Sequence, residues 1–155
     1  MLYTFENPVF WHFAVTALLC VLKVMGQGWM TVHAMMSERA GWAAPEDLKQ
    51  PRLNPDPDPS QMEPNPRVDR ARRMHWNDLE NIPAFWAAGA LFVAVDPPLW
   101  AAVLFYWGFV LARAGHFWAY ATAQIHDIRA TFYSVGSIIV MAMAIWALIA
   151  LVSGR

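Results

Sequence analysis

A chain of 155 residues in which 57% of the side chains are hydrophobic and only 15% are charged has the bulk of one domain but too little polar surface to enclose its apolar content in water. Nine Trp, nine Phe and nine Met, together with long charge-poor runs, exclude an ordinary soluble domain and point to a bilayer as solvent. A net charge of -1 argues against a nucleic-acid partner, and the lone Cys20 excludes an intrachain disulfide.

The first apolar run extends from about Pro8 to Met36. It lacks the basic start and cleavage site of a signal peptide, so it is expected to be a retained first helix. His12, Thr16, Lys23, Gln27 and Thr31 share a face at seam-like spacing, which turns the polar side toward other helices and leaves Phe13, Leu18, Val21 and Leu22 for lipid or packing. Cys20, inside the same run, is expected to pack. A lysine near the middle of a span needs a carboxylate or a water-filled pocket. Glu80 is the expected partner of Lys23, with snorkelling to an interface as the alternative.

Residues 37–65 differ in kind, with Pro45, Pro51, Pro55, Pro57, Pro59 and Pro64 interrupting any helix, and form a solvent-side loop. Pro66 is placed to open a second helix reaching about Val95. Asp96-Pro97-Pro98 forces a turn into a third helix, about Leu99 to Thr122, which carries Arg113, His116 and Tyr120 at spacings of three and four. A short connection leads to a fourth helix from about Ile128 to Val152. Asp127 is its expected N-cap, and Arg129 and Tyr133 stand one turn apart near its start. The fold class is therefore an all-α integral membrane protein, a single multi-pass domain of four transmembrane helices. Arg39, Lys49, Arg52, Arg67, Arg70, Arg72 and Arg73 gather in the first loop and at the entry to the second helix, so that side is expected to be cytoplasmic and both termini to lie opposite.

The second helix is the centre of the pattern, because it carries charge directly into an apolar run. Arg70, Arg73, Asn77 and Glu80 form one polar stripe, and a charged stripe entering hydrocarbon usually marks function. The third and fourth helices bring their polar stripes to the same cytoplasmic depth. Arg70, Arg73, Asn77, Glu80, Arg113, His116, Tyr120, Arg129 and Tyr133 together offer many donors and one acid, a set suited to a small polyanionic ligand that also has an ammonium group. The competing reading is an interhelical ion-pair network, such as Arg113 with Glu80, that holds the bundle together without a ligand. His75 and His116 are either general bases or hydrogen-bonded packing residues. No metal-ligand spacing is present: His12 and His33 stand too far apart on their helix to pair.

Val68-Asp69-Arg70-Ala71-Arg72-Arg73-Met74-His75-Trp76-Asn77-Asp78-Leu79-Glu80-Asn81-Ile82, with Pro45-Glu46-Asp47, Arg113-Ala114-Gly115-His116 through Tyr120, and Arg129 to Tyr133, resembles the signature of the membrane-associated proteins in eicosanoid and glutathione metabolism. The resemblance covers about Pro45 to Tyr133. It implies a homotrimer of four-helix subunits that binds glutathione between neighbouring subunits near the cytoplasmic face. Arg73, Asn77, Glu80, His116 and Tyr120 would hold the peptide's charged ends, with Tyr133 in the same binding set. Arg113 would pair with Glu80, Asp47 would lie where the first loop closes on the site, and Arg129 would lie near the sulfur as the activating residue, with Tyr120 or His116 next in line. Two positions depart from the family pattern: Met36 stands where the family has an arginine, with Arg39 as a substitute, and Ala130 stands where the prostaglandin synthases have a serine. Ala130 favours the glutathione transferase branch. The implied activity is attack of the glutathione thiol on a lipophilic electrophile or lipid hydroperoxide arriving from the membrane lipid, a detoxification chemistry. The alternatives are a prostaglandin- or leukotriene-type synthase and a non-catalytic membrane scaffold.

Overall fold

The computed structural model describes residues 1–49 and 52–154; Gln50, Pro51 and Arg155 lie outside the described residues. Four α-helices are found, α1 (Pro8–Glu38), α2 (Pro66–Ala94), α3 (Leu99–Ala121) and α4 (His126–Val152), and no strand occurs among the described residues. The first two open in the same way. In each, an asparagine caps the orphan backbone donors and a proline, which has no N–H to satisfy, takes the first helical position. Asn7 accepts from the Val9 amide, and Asn65 from the amides of Arg67 and Val68. The ends are set by left-handed residues: Arg39 (φ 47°) stops α1, Asp96 (φ 48°) lies just past α2 before its two prolines, and Ala123 (φ 53°) lies just past α3. The loop between α1 and α2 is more ordered than its proline content predicts, since Pro45–Leu48 and Pro59–Met62 form short 3₁₀ turns.

α2 and α3 each pack against the other three helices. Away from the charged end they build an aromatic core in which Phe85 stacks on Phe109 (centroids 4.1 Å apart), and Phe92 and Tyr106 are fully buried. Cys20 belongs to this core as a packing residue. So does Phe13, whose ring meets Phe85 and Tyr106, whereas Leu18, Val21 and Leu22 remain on the outside. α1 and α4 are each long and apolar enough to cross a membrane; α2 and α3, which carry the charged residues described below, do not reach that mark on composition.

Helix proximity here depends on a missing side chain. A Cβ on Gly89 would lie 2.6 Å from the Phe13 ring and 3.4 Å from Tyr106, and the Tyr106 hydroxyl donates to the Gly89 carbonyl at 3.0 Å. Gly89→Ala therefore overpacks the α1–α2–α3 junction, with an expected loss of about 1–3 kcal/mol. A lowered midpoint for unfolding in detergent checks it.

Candidate active site at the charged end of the bundle

The buried face of α2 repeats every three or four residues through Met74, Asp78, Asn81, Ile82 and Phe85. Asp78 thus occupies a core position, with a fully buried side chain, while Glu80 is exposed. Residues two apart on an α-helix point about 200° apart, so the two carboxylates serve opposite sides of α2. Asp78 gathers three donors. Its Oδ2 accepts from Lys23 Nζ and from Gln27 Nε2 (2.6 Å), and its Oδ1 accepts from Arg113 Nη1 at 3.2 Å. Both pairings expected for Glu80, with Lys23 and with Arg113, are therefore corrected: the partner in each case is Asp78. Arg113, 1% exposed, also donates through Nη2 to the Phe132 carbonyl at 3.0 Å and lies against Gly136, where a Cβ would come within 3.3 Å of its guanidinium.

On the other side of α2 a second cluster forms around two tyrosines. Asn77 Nδ2 donates to Tyr120 Oη at 2.8 Å, and Tyr133 Oη donates to Glu80 Oε2 at 3.1 Å. The His116 ring lies 4.8 Å from Tyr120 and 6.3 Å from Tyr133. The Arg129 guanidinium sits 4.8 Å from the Tyr120 centroid, and that of Arg113 lies 5.6 Å from the Tyr133 centroid. Asn77, Glu80, Arg113, His116, Tyr120, Arg129 and Tyr133 are thus brought together by α2, α3 and α4. Ser137, which donates to Asn81 Oδ1 at 2.9 Å, ties α4 to α2 one turn deeper. Arg113 joins the two clusters, since one face of its guanidinium meets Tyr133 while one nitrogen holds Asp78.

Several expected members stand apart. Arg73 is exposed on the outside of α2. Asp47 sits in the first 3₁₀ turn, where its carbonyl accepts from Asn54 Nδ2 at 3.2 Å, a contact that folds the loop on itself. Met36 is exposed, and Arg39 donates to the Asp56 carbonyl at 2.9 Å. His12 accepts from Trp107 Nε1 at 3.1 Å as a packing residue. The expectation that Asp127 caps α4 is also corrected. The helix begins two residues earlier, with Ile125 at the cap position and no side-chain cap, and Asp127 falls inside the first turn. The Arg129 amide is already bonded to the Ile125 carbonyl at 3.4 Å, so it is not a free anion donor.

Three buried nitrogens in or beside the tyrosine cluster have no hydrogen-bond partner among the described residues: Arg113 Nε, His116 Nδ1 and Arg129 Nε. Buried polar groups are ordinarily satisfied; the other unpartnered buried atoms among the described residues are Gln27 Oε1, beside Asp78, and Trp42 Nε1, in the first loop. With two guanidiniums, an imidazole, an amide, two phenols and the carboxylate of Glu80, the set can hold carboxylates on one part of a ligand and an ammonium on another. Gln27 was legible as an inward polar residue. Asp78 was missed as the organising acid, although its place in the Met74, Asp78, Ile82, Phe85 repeat was a signal for it.

Residues 13–149 match the model of the MAPEG family. The chain is 32% identical to microsomal glutathione S-transferase 1 of Sus scrofa over 139 residues, covering 90% of this chain and 88% of that protein. Its similarity to the proteins of the same name from Bos taurus and Homo sapiens is also 32%, with the same shares of each chain covered.

Proposed function

Because the chain belongs to the MAPEG family, we propose that it is an integral membrane glutathione transferase whose four helices cross the bilayer and whose tyrosine cluster binds glutathione. The observation that carries this reading is the concentration of unpartnered buried nitrogens at Arg113, His116 and Arg129, beside an exposed carboxylate at Glu80. The names of the relatives agree with it. The Asp78 network holds the bundle without a ligand: its carboxylate is satisfied by Lys23, Gln27 and Arg113. The tyrosine cluster is what remains to recognise one. Glutathione carries two carboxylates and an ammonium, which this donor set and Glu80 complement, and it supplies a thiol whose ionised form is the nucleophile.

In this reading Arg113 and His116 take a carboxylate, Glu80 takes the ammonium, Asn77 and Tyr120 fix the peptide, and Tyr133 orients Glu80 through their hydrogen bond. Arg129 holds positive charge at the thiol. Arg73 and Asp47 complete the site from outside once subunits assemble as a homotrimer, because Arg73 stands exposed one turn before Asn77. The second substrate is a lipophilic electrophile or lipid hydroperoxide reaching the site from the hydrocarbon. Ala130 offers no hydroxyl, which weighs against the prostaglandin-synthase type of chemistry.

Turnover of a panel of aryl halides and lipid hydroperoxides by the purified protein, with and without glutathione, tests the assignment. Glutathione-dependent product is expected, and its absence across the panel contradicts the transferase reading. The orientation is tested separately. A reporter inserted beside Asp58 is expected in the cytoplasm and one fused after the last residue outside it, given the basic residues gathered between Arg39 and Arg73. The reverse pattern would move the site to the other face.

A further inference from the structure

We propose that Asp78 is a positioning residue for ligand binding: from inside the bundle it fixes the posture of Arg113, and through Arg113 the pair of Tyr133 and Glu80, so that a carboxylate and the ammonium of glutathione meet preset partners. This inference rests on the glutathione reading and adds to it a residue whose own carboxylate is fully buried. An arginine side chain has several rotatable bonds, and its planar fork recognises a carboxylate only when it is correctly aimed. Here the guanidinium is held by two neighbouring helices. Asp78 Oδ1, on α2, accepts from Nη1 at 3.2 Å, and the Phe132 carbonyl, on α4, accepts from Nη2 at 3.0 Å. One turn along α4, a Cβ on Gly136 would stand 3.3 Å from both Nε and Nη2 and 3.5 Å from Cζ, so the guanidinium lies against bare backbone that only a glycine offers. The remaining nitrogen, Nε, is the one without a partner among the described residues. The same guanidinium lies 5.6 Å from the Tyr133 ring centroid, and Tyr133 Oη donates to Glu80 Oε2 at 3.1 Å.

The three donors on Asp78 are not equivalent. Lys23 and Gln27 reach it from α1, whereas Arg113 continues from it into the tyrosine cluster. Removing Lys23 therefore takes an ion pair from the bundle and leaves Arg113 seated. Neutralising Asp78 leaves Lys23 and Arg113 repelling each other across an uncharged side chain, and Arg113 loses its posture. A binding group ordered before the ligand arrives costs less to order on binding, so this loss falls on affinity. Arg129, which is stacked on Tyr120 and is not bonded to Asp78, keeps its place beside the thiol.

The test is calorimetric titration of the purified full chain with glutathione, which returns the dissociation constant and the number of sites separately, together with thiolate absorbance and kcat at saturation. Asp78→Asn is expected to raise the dissociation constant at least tenfold while leaving kcat and the thiolate signal per bound glutathione within about threefold of wild type. Lys23→Met is expected to lower the unfolding midpoint and leave the dissociation constant within about threefold. Gly136→Ala, which keeps every ionic partner but displaces the guanidinium, is expected to weaken binding several-fold. A purely structural role for Asp78 reduces the number of sites in Asp78→Asn and leaves the affinity of those that remain, and that result overturns the proposal. So does a loss of affinity in Lys23→Met equal to that in Asp78→Asn, which would make the effect one of bundle stability or net charge. If Asp78→Asn does not fold, wild-type affinity in Gly136→Ala overturns it. Failure of the wild-type protein to bind glutathione removes the reading on which the inference rests; saturable wild-type binding that Asp78→Asn does not weaken removes the inference alone.

Discussion

Asp78→Ala is expected to destabilise the bundle by about 3–5 kcal/mol, because it leaves the buried Arg113 and the partly buried Lys23 with no carboxylate between them. Glu80→Gln, at an exposed position, is expected to change stability by no more than about 0.5 kcal/mol. Paired substitutions sharpen the contrast. Asp78 and Arg113 are 3.2 Å apart and should show a coupling of about 0.5–3 kcal/mol in a double-mutant cycle, whereas Glu80 and Arg113 should behave as nearly independent. Equilibrium unfolding in a mild detergent reads all of these. A stable Asp78→Ala protein, or strong coupling of Arg113 to Glu80, would mean that the ion network is organised differently.

Arg129→Ala is expected to lower turnover about a hundredfold while leaving glutathione affinity within a few-fold of wild type. A free thiol titrates near 8.5, and lowering that by roughly two units takes about 2.7 kcal/mol. The helix terminus contributes less than position alone suggests. Asp127 places a negative charge in the first turn of α4, and the Arg129 amide is already bonded to the Ile125 carbonyl. The guanidinium, held over the Tyr120 ring with its Nε unpartnered, must therefore supply most of the stabilisation of a thiolate. Ala130→Ser should change the rate little. Ultraviolet absorbance of the thiolate during glutathione binding separates the two effects: binding should persist in Arg129→Ala while the thiolate signal falls. An unchanged signal with a normal rate would reassign activation to Tyr120 or His116.

Much of the fold was legible because its punctuation is local. Asn7-Pro8 and Asn65-Pro66 mark helix starts through cap chemistry that a sequence displays openly, and Asp96-Pro97-Pro98 marks a turn. The start of α4 was less legible because Ile125 carries no cap signal and Asp127, a strong one, sits two residues inside. The co-location of Asn77, Glu80, Arg113, His116, Tyr120, Arg129 and Tyr133 followed from helical stripes converging at one depth. The partners within that group did not follow. Periodicity gives the direction of a side chain on its own helix, but not which neighbouring helix it meets, so the stripe through Asn77 and Glu80 drew attention from the aspartate that lies between them on the core side. A buried acid in an apolar repeat is expensive, and that expense was the available clue to Asp78. Loop closure was the least legible feature. Arg39 and Asp47 are held by the carbonyl of Asp56 and the side chain of Asn54, contacts that depend on how a proline-rich segment folds back on itself.

The central claim is that the tyrosine cluster completes itself with glutathione. The most direct measurement is calorimetric titration of the purified, detergent-solubilised protein with glutathione at neutral pH, with thiolate absorbance followed in parallel. The expected result is saturable binding accompanied by a rise in thiolate signal, both weakened by Tyr120→Phe combined with His116→Ala. Heat no greater than that of dilution from a monodisperse, folded sample, with no thiolate signal, would contradict the account and leave the polar end of the bundle as a structural network alone.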